Sequence, residues 1–273
     1  MINLIKGIFQ PKNTVKAKLP FSEAEISSAI QTNRETLQYV GNWIDEKAFK
    51  ESWFQYGVPD FIREDINRKI NDQPTYTDLM LAMSDKYFTH LNYLEIGVSV
   101  GKNLFQLMNA HEKADFTGFD IEDINPVIER KLVLTGTNKW NTPPDSIKKS
   151  NSSFKTYSFR QNRVNYLCAD VWDLNSWARL EGNKYNLVFS DALHTPEAIL
   201  FEFEMLAKFK LLDEQFIIVW DDLVGQMKKS FYKIIRKYYE TYRIKEIYLL
   251  PINGWVGEHE KAHSVGIISS FNF

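Results

Sequence analysis

Cysteine is almost missing from this chain. Cys168 is the only one in 273 residues. That excludes an intrachain disulfide and any multi-cysteine metal site. It lies in a short apolar run and is expected to be buried and inert. Long hydrophobic stretches are missing too. No apolar run approaches the ~18 residues that span a bilayer, and the run within residues 1–10 is too short for a signal peptide. No membrane association is expected, and the cytoplasm is the expected compartment. Excess charge of one sign is also absent. With 33 basic and 35 acidic residues the formal net charge is −2, so there is no electrostatic footprint for nucleic acid.

What is present suits a large packed domain. Hydrophobic residues make up 44% and charged residues 25%, an ordinary globular balance. Aromatics reach 14%, including 19 Phe and 13 Tyr, enough for a broad core and an apolar pocket. Residues 1–20 read as a lysine-bearing arm. Ser22 with Glu25 has capping-box spacing, and a helical pattern follows to about Tyr56. A short helix over 59–70, a break at 71–74 and a helix over 75–87 complete an N-terminal third rich in aromatics. Residues 1–72 are expected to form a helical arm or cap, and 73–273 a second unit.

From residue 92 the pattern alternates. Strands are expected at 92–96, 116–120, 162–168, 185–190, 216–220, 244–250 and 263–269. Helices are expected after the first five, the first directly after the glycine turn with Leu104, Leu107 and Met108 at helical spacing, the others at 125–132, 174–180, 195–211 and 226–242. Thr195-Pro196-Glu197 is a strong helix start, with a capping hydroxyl, proline at the first position and an acid at the positive end. Residues 134–161 are polar and read as a mobile insertion. The expected fold is α/β, a doubly wound, seven-stranded, mostly parallel sheet of Rossmann-like type.

The first strand leads into Glu95-Ile96-Gly97-Val98-Ser99-Val100-Gly101-Lys102. Gly97 and Gly101 bracket a turn that opens a helix, where backbone can approach a ligand closely. The dinucleotide fingerprint Gly-x-Gly-x-x-Gly is not met. Acids recur at strand ends: Glu95, Asp120, Asp170, Asp191 and Asp221-Asp222. Ligands of open α/β sheets bind at that edge, and clustered like charges repel unless something compensates them. Asp120 lies about 20 residues past the glycines, where an acid can accept ribose hydroxyls. Solvated strand-end acids or helix caps are the plainer readings, for Asp170 especially.

The Glu-x-Gly-x-x-x-Gly turn, with its acid before the glycines and a last strand pair joined without a helix, resembles the class I S-adenosylmethionine (SAM)-dependent methyltransferases. The resemblance covers roughly residues 75–273. It implies that Glu95, Gly97, Ser99 and Gly101 meet the methionine end of SAM. It also implies that Asp120 with Ile121 holds the ribose, that Asp170 with Val171 lies near the adenine amino group, and that Ser190 borders the site. Asp191-Ala192-Leu193-His194, with Trp220-Asp221-Asp222, further resembles the metal-dependent small-molecule and sugar O-methyltransferases. Asp191, Asp221 and Asp222 are then implied ligands of Mg²⁺ or Mn²⁺. Asp191 and His194 are implied catalytic residues, with His194 as the base. Many members of that group carry a second acid where this chain has Leu193. Trp255 and His259 are candidates for an acceptor pocket. His90 and His111 read as structural. The acceptor is expected to be a small molecule or sugar. A metal-independent enzyme, an inactive SAM-binding module and an NAD-binding oxidoreductase are the alternatives. Nothing in the sequence fixes the oligomeric state.

Overall fold

A computed structural model describes residues 15–18, 21–44, 73–148, 150–252 and 263–273. The arm before residue 15, the helix expected over 59–70, and Trp255 and His259 lie outside the described residues.

The centre is β1 (Asn92–Ile96), a strand buried on both faces. Alternate side chains split its apolar content between two layers. Tyr93 belongs to the same core as Leu37 of α1 (Glu23–Ile44), Met80 of α2 (Tyr76–Tyr87) and Leu104 of α3 (Lys102–Ala110). Leu94 and Ile96 join the opposite core. A one-turn helix, α4 (Pro126–Glu129), follows the strand Asp115–Asp120. In the opposite core Trp177 is grouped with Phe203 and Phe231, and that layer is built from α5 (Leu174–Ala178), α6 (Pro196–Lys208) and α7 (Gly225–Tyr238).

β1 runs parallel to β2 (Asp115–Asp120) on one side and to β6 (Tyr185–Ser190) on the other. Beyond β2 lies β5 (Asn162–Cys168), and beyond β6 lies β7 (Leu212–Trp220), both parallel to their neighbours. The chain therefore winds outward from β1 in one direction and then returns to build the other. That reversal opens a crevice above the carboxyl ends of β1 and β6.

Antiparallel pairs complete both sides. β8 (Glu246–Ile252) and β9 (His263–Ser269) form a hairpin-like pair, with β9 inserted beside β7. On the far side stand β3 (Val133–Trp140) and β4 (Ser152–Phe159). Among the described residues the sheet thus has nine strands, in the order β3-β4-β5-β2-β1-β6-β7-β9-β8. This corrects two expectations, a seven-stranded sheet and a structureless insertion over 134–161. β3 is exposed along nearly its whole length. A strand with no layer over either face needs no apolar alternation, so its Thr, Asn and Lys residues read as loop.

The helix starts follow the sequence closely. Thr195 accepts from the Ala198 N–H at 3.2 Å with Pro196 at the first helical position. Ser22 and Glu25 form the reciprocal box. α1 is fastened to α2 by Arg34, whose guanidinium meets the fully buried Asp78 at 3.0 Å. Cys168 is buried and its thiol is pushed up by that burial. Among the described residues no helix is long and apolar enough to cross a membrane.

Gly97 holds the crevice together. Its φ is +85°, and an added Cβ would lie 2.4 Å from the Ala192 backbone. Its N–H donates to the Phe119 carbonyl at 2.8 Å, and the Asp191 N–H donates to Ile96 at 2.8 Å. Gly182 has a similar φ of +91° but open space around it. Gly182→Ala should therefore cost only the left-handed strain, about 1–2 kcal/mol. Gly97→Ala should cost clearly more, since one strand end must move. Urea denaturation of the two variants checks this, and equal losses would rule out the steric account.

Candidate active site

A cleft of about 300 Å³ opens at the carboxyl edge of the sheet, at the low end of the usual range for small-molecule sites. Gly97 and Ser99 of the turn, Asp120 and Ile121 after β2, Asp170 and Val171 after β5, and Asp191 after β6 all line it. Residues from four separate strand ends are thereby brought together. Glu95, Gly101, Ser190, His194, Asp221 and Asp222 do not line it.

Asp120 organises the turn. One carboxylate oxygen accepts the Val98 N–H at 2.6 Å and the Ser99 N–H at 2.8 Å, and the other accepts the Glu122 N–H at 2.8 Å. Ser99 is left-handed at φ 51°, a conformation a non-glycine residue keeps only when its surroundings hold it. Burial pushes the Asp120 carboxyl up, and these N–H groups oppose that. A carboxylate offers about four acceptor positions, and the Ile121 N–H acts on this one as well, so Asp120 is used chiefly to hold the turn.

Glu95 is fully buried at the end of β1. The Tyr93 hydroxyl donates to Oε2 at 3.0 Å, while Oε1 has no hydrogen-bond partner. Burial pushes its carboxyl up to about 8. Close by, the buried Lys102 donates to Thr77 Oγ1 at 2.9 Å and lies 4.7 Å over the Tyr76 ring. Burial pulls that ammonium well down, against the opposing pull of Glu95, Asp78, Asp191 and Asp221. Ser190 turns its hydroxyl to Glu202 Oε2 at 2.5 Å, and burial raises Glu202 to about 8.

His194 lies between two of the three acids implied as metal ligands. Its Nε2 is 2.8 Å from Asp191 and its Nδ1 is 3.1 Å from Asp222. Those two carboxylates push the imidazole up to about 10, so it is protonated at neutral pH. Burial pushes Asp191 up, aided by Asp221 and Asp222 and opposed by His194. Asp221 is buried and accepts the Asp222 N–H at 2.8 Å. The three carboxylates do not converge on one point for a metal ion. Among the described residues no group of three or more His, Cys, Asp or Glu side chains is arranged to hold one.

Sequence reasoning missed Ser146, Ile147 and Lys148, from the segment read as an insertion. Ile147 lines the cleft. The available signal was a lone isoleucine inside the polar run 143–153. Leu193 also lines the cleft, so an apolar side chain stands at the position where an acid was looked for. His90 pairs with Asp115 at 2.9 Å on the surface, away from the cleft.

No protein-family model matches the chain, and no curated protein matches it. Among solved structures it is similar to the SAH-bound methyltransferase PaMTH1 of Podospora anserina. Identity there is 15%, over 94% of this chain and 100% of that one, with a TM-score of 0.46. It is also similar to the plantazolicin methyltransferase BpumL in complex with SAH, at 12% identity over 89% and 99% of the two chains and a TM-score of 0.43. The METTL16 methyltransferase domain gives 8%, 72%, 66% and 0.42 for the same quantities. Likenesses this distant say nothing of the chemistry at the cleft.

The His194 geometry has a measurable consequence. A histidine raised from 6.5 to about 10 on folding contributes stability that is fully present below about pH 6.5. That contribution fades as pH rises through about 10. His194→Gln should flatten the decline in melting temperature across this window. The side chain is 46% exposed, so solvent screening keeps the effect near or below about 1 kcal/mol. Identical pH–melting profiles for the two proteins would show that the imidazole is not held between the acids in solution.

Proposed function

We propose that this chain is a SAM-dependent methyltransferase that acts on a hydroxyl of a small molecule or sugar. The observation that carries the reading is the convergence of the Gly97–Gly101 turn, Asp120 and Asp191 on one cleft at the point where the sheet reverses its winding. Asp120 supports a ribose-bearing ligand because its carboxylate lines the cleft at the end of the second strand. Glu95 stands behind the turn rather than in the cleft, a buried carboxyl with one unsatisfied oxygen, and its part in this reading is to support the turn.

When bound, SAM would supply an electrophilic methyl group on a sulfonium. The chain's part is to place an acceptor oxygen in line with that methyl and to remove its proton. The acceptor O–H bond breaks as the oxygen–carbon bond forms, the carbon–sulfur bond yields its electrons to sulfur, and SAH is left. Asp191 is the proton acceptor in this reading, since it lines the cleft and its carboxyl is raised toward neutrality. His194, held protonated by Asp191 and Asp222, serves as a fixed cation beside the site rather than as the base.

Isothermal titration with SAM, SAH and NADH, each with and without Mg²⁺ or Mn²⁺, tests this directly. SAM and SAH should bind and NADH should not. Saturating SAH at ~100 times its Kd should add about 2.7 kcal/mol of stability. Asp120→Ala should weaken SAH by about tenfold or more, the loss expected for hydrogen bonds to a charged group. Binding of NADH in place of SAM overturns the assignment. A methyl-transfer activity that needs Mg²⁺ or Mn²⁺ and is lost in Asp221→Ala would restore the metal-assisted mechanism.

A further inference from the structure

The strand pair β3–β4 does more than widen the sheet. The segment joining them returns over the end of the cleft that lies beyond β2 and β5. Ser146 and Lys148 are both 8% exposed, while Ile147 between them is 57% exposed and lines the cleft. Three contacts fasten this short stretch. The Ser146 hydroxyl donates to Asp170 Oδ2 at 2.6 Å, and the Ile147 N–H donates to the same oxygen at 3.1 Å. The Lys148 ammonium donates to the Ile121 carbonyl. Within the loop the Lys148 N–H donates to Ser146 Oγ at 3.1 Å. Further back, Thr142 closes the loop's base onto the Ser150 carbonyl at 2.6 Å.

Asp170 therefore spends most of its about four acceptor positions on the chain itself. Its other oxygen accepts the Trp172 N–H at 2.9 Å. The neighbouring cleft wall is hydrocarbon, made by Ile121, Ala169 and Val171. An apolar wall of this kind suits a flat heteroaromatic ring, and an isoleucine left uncovered at its rim is a surface that such a ring would cover.

We propose that residues 146–148 form the outer wall of a base-binding subsite. Ile147 is the contact residue, and Asp170 is a positioning residue that fastens the wall instead of reading the edge of the base. This rests on the SAM reading above. It assigns the base subsite to a part of the chain that lies outside the parallel sheet.

The test is titration of SAH and of its inosine counterpart, which lacks the purine amino group, into wild type, Ile147→Asp, Ser146→Ala and Asp170→Asn. Ile147 is exposed, so its replacement leaves the fold intact, and thermal melts confirm this for each variant. Ile147→Asp should weaken both ligands by about tenfold or more, since a charge would meet the apolar ring. Ser146→Ala and Asp170→Asn should each weaken both ligands by a similar factor and leave the ratio between them unchanged. The double variant should be no worse than the poorer single one, as expected for residues sharing one contact. An Asp170→Asn protein that loses discrimination between the two ligands, with Ser146→Ala unaffected, would overturn the proposal and make Asp170 a direct reader of the amino group. Unchanged SAH affinity in Ile147→Asp would also overturn it. Wild type that takes no SAH at all overturns the function reading, and this one falls with it.

Discussion

The carboxylate of Asp120 is the contact on which the candidate site depends. It sits at the end of β2 but binds the backbone that follows β1, gathering the N–H groups of Val98 and Ser99. Without that gathering, Ser99 has no reason to remain left-handed. The turn would also lose its fixed distance from the β6 end, where Gly97 already allows contact with the Ala192 backbone. One side chain thus joins two strand ends, and the absence of a Cβ at Gly97 brings in a third.

The row of acids at the sheet edge is compensated largely from within. Asp120 is met by amides, Asp170 by a hydroxyl and two amides, and Asp191 with Asp222 by the His194 imidazole. Such acids need compensation, and here one histidine serves two of them. The compensation is local and directional, and it leaves the cleft open beside Asp120 and Asp191.

All seven expected strands exist, because buried parallel strands leave short apolar runs bounded by turn residues, as in Tyr185–Ser190 and Leu212–Trp220. The helix starts at Thr195 and Ser22 were legible because capping chemistry is local. β3 and β4 were not, since strands that lie beyond the layers carry no burial signal. Of the proposed site residues, Gly97 and Ser99 of the turn and those directly after β2, β5 and β6 line one cleft. What a strand-end acid is bonded to could not be read, because Ser146 lies 24 residues from Asp170 in sequence. Long-range partners of this kind follow from sheet order, and sheet order was not fixed by any single segment.

The sheet order also sets when the cleft can exist. β1 needs β2, which follows it closely, but its other neighbour is β6, paired Tyr93 with Leu187. A nascent chain that has produced the glycine turn and even β2 still lacks one wall, and only after residue 192 can Gly97 meet its backbone partner. Closing so long a loop is slow compared with local helix formation. The site is thus a late product of folding. A ligand seated there would bridge segments made early and late in synthesis, and would act as a latch on the completed topology.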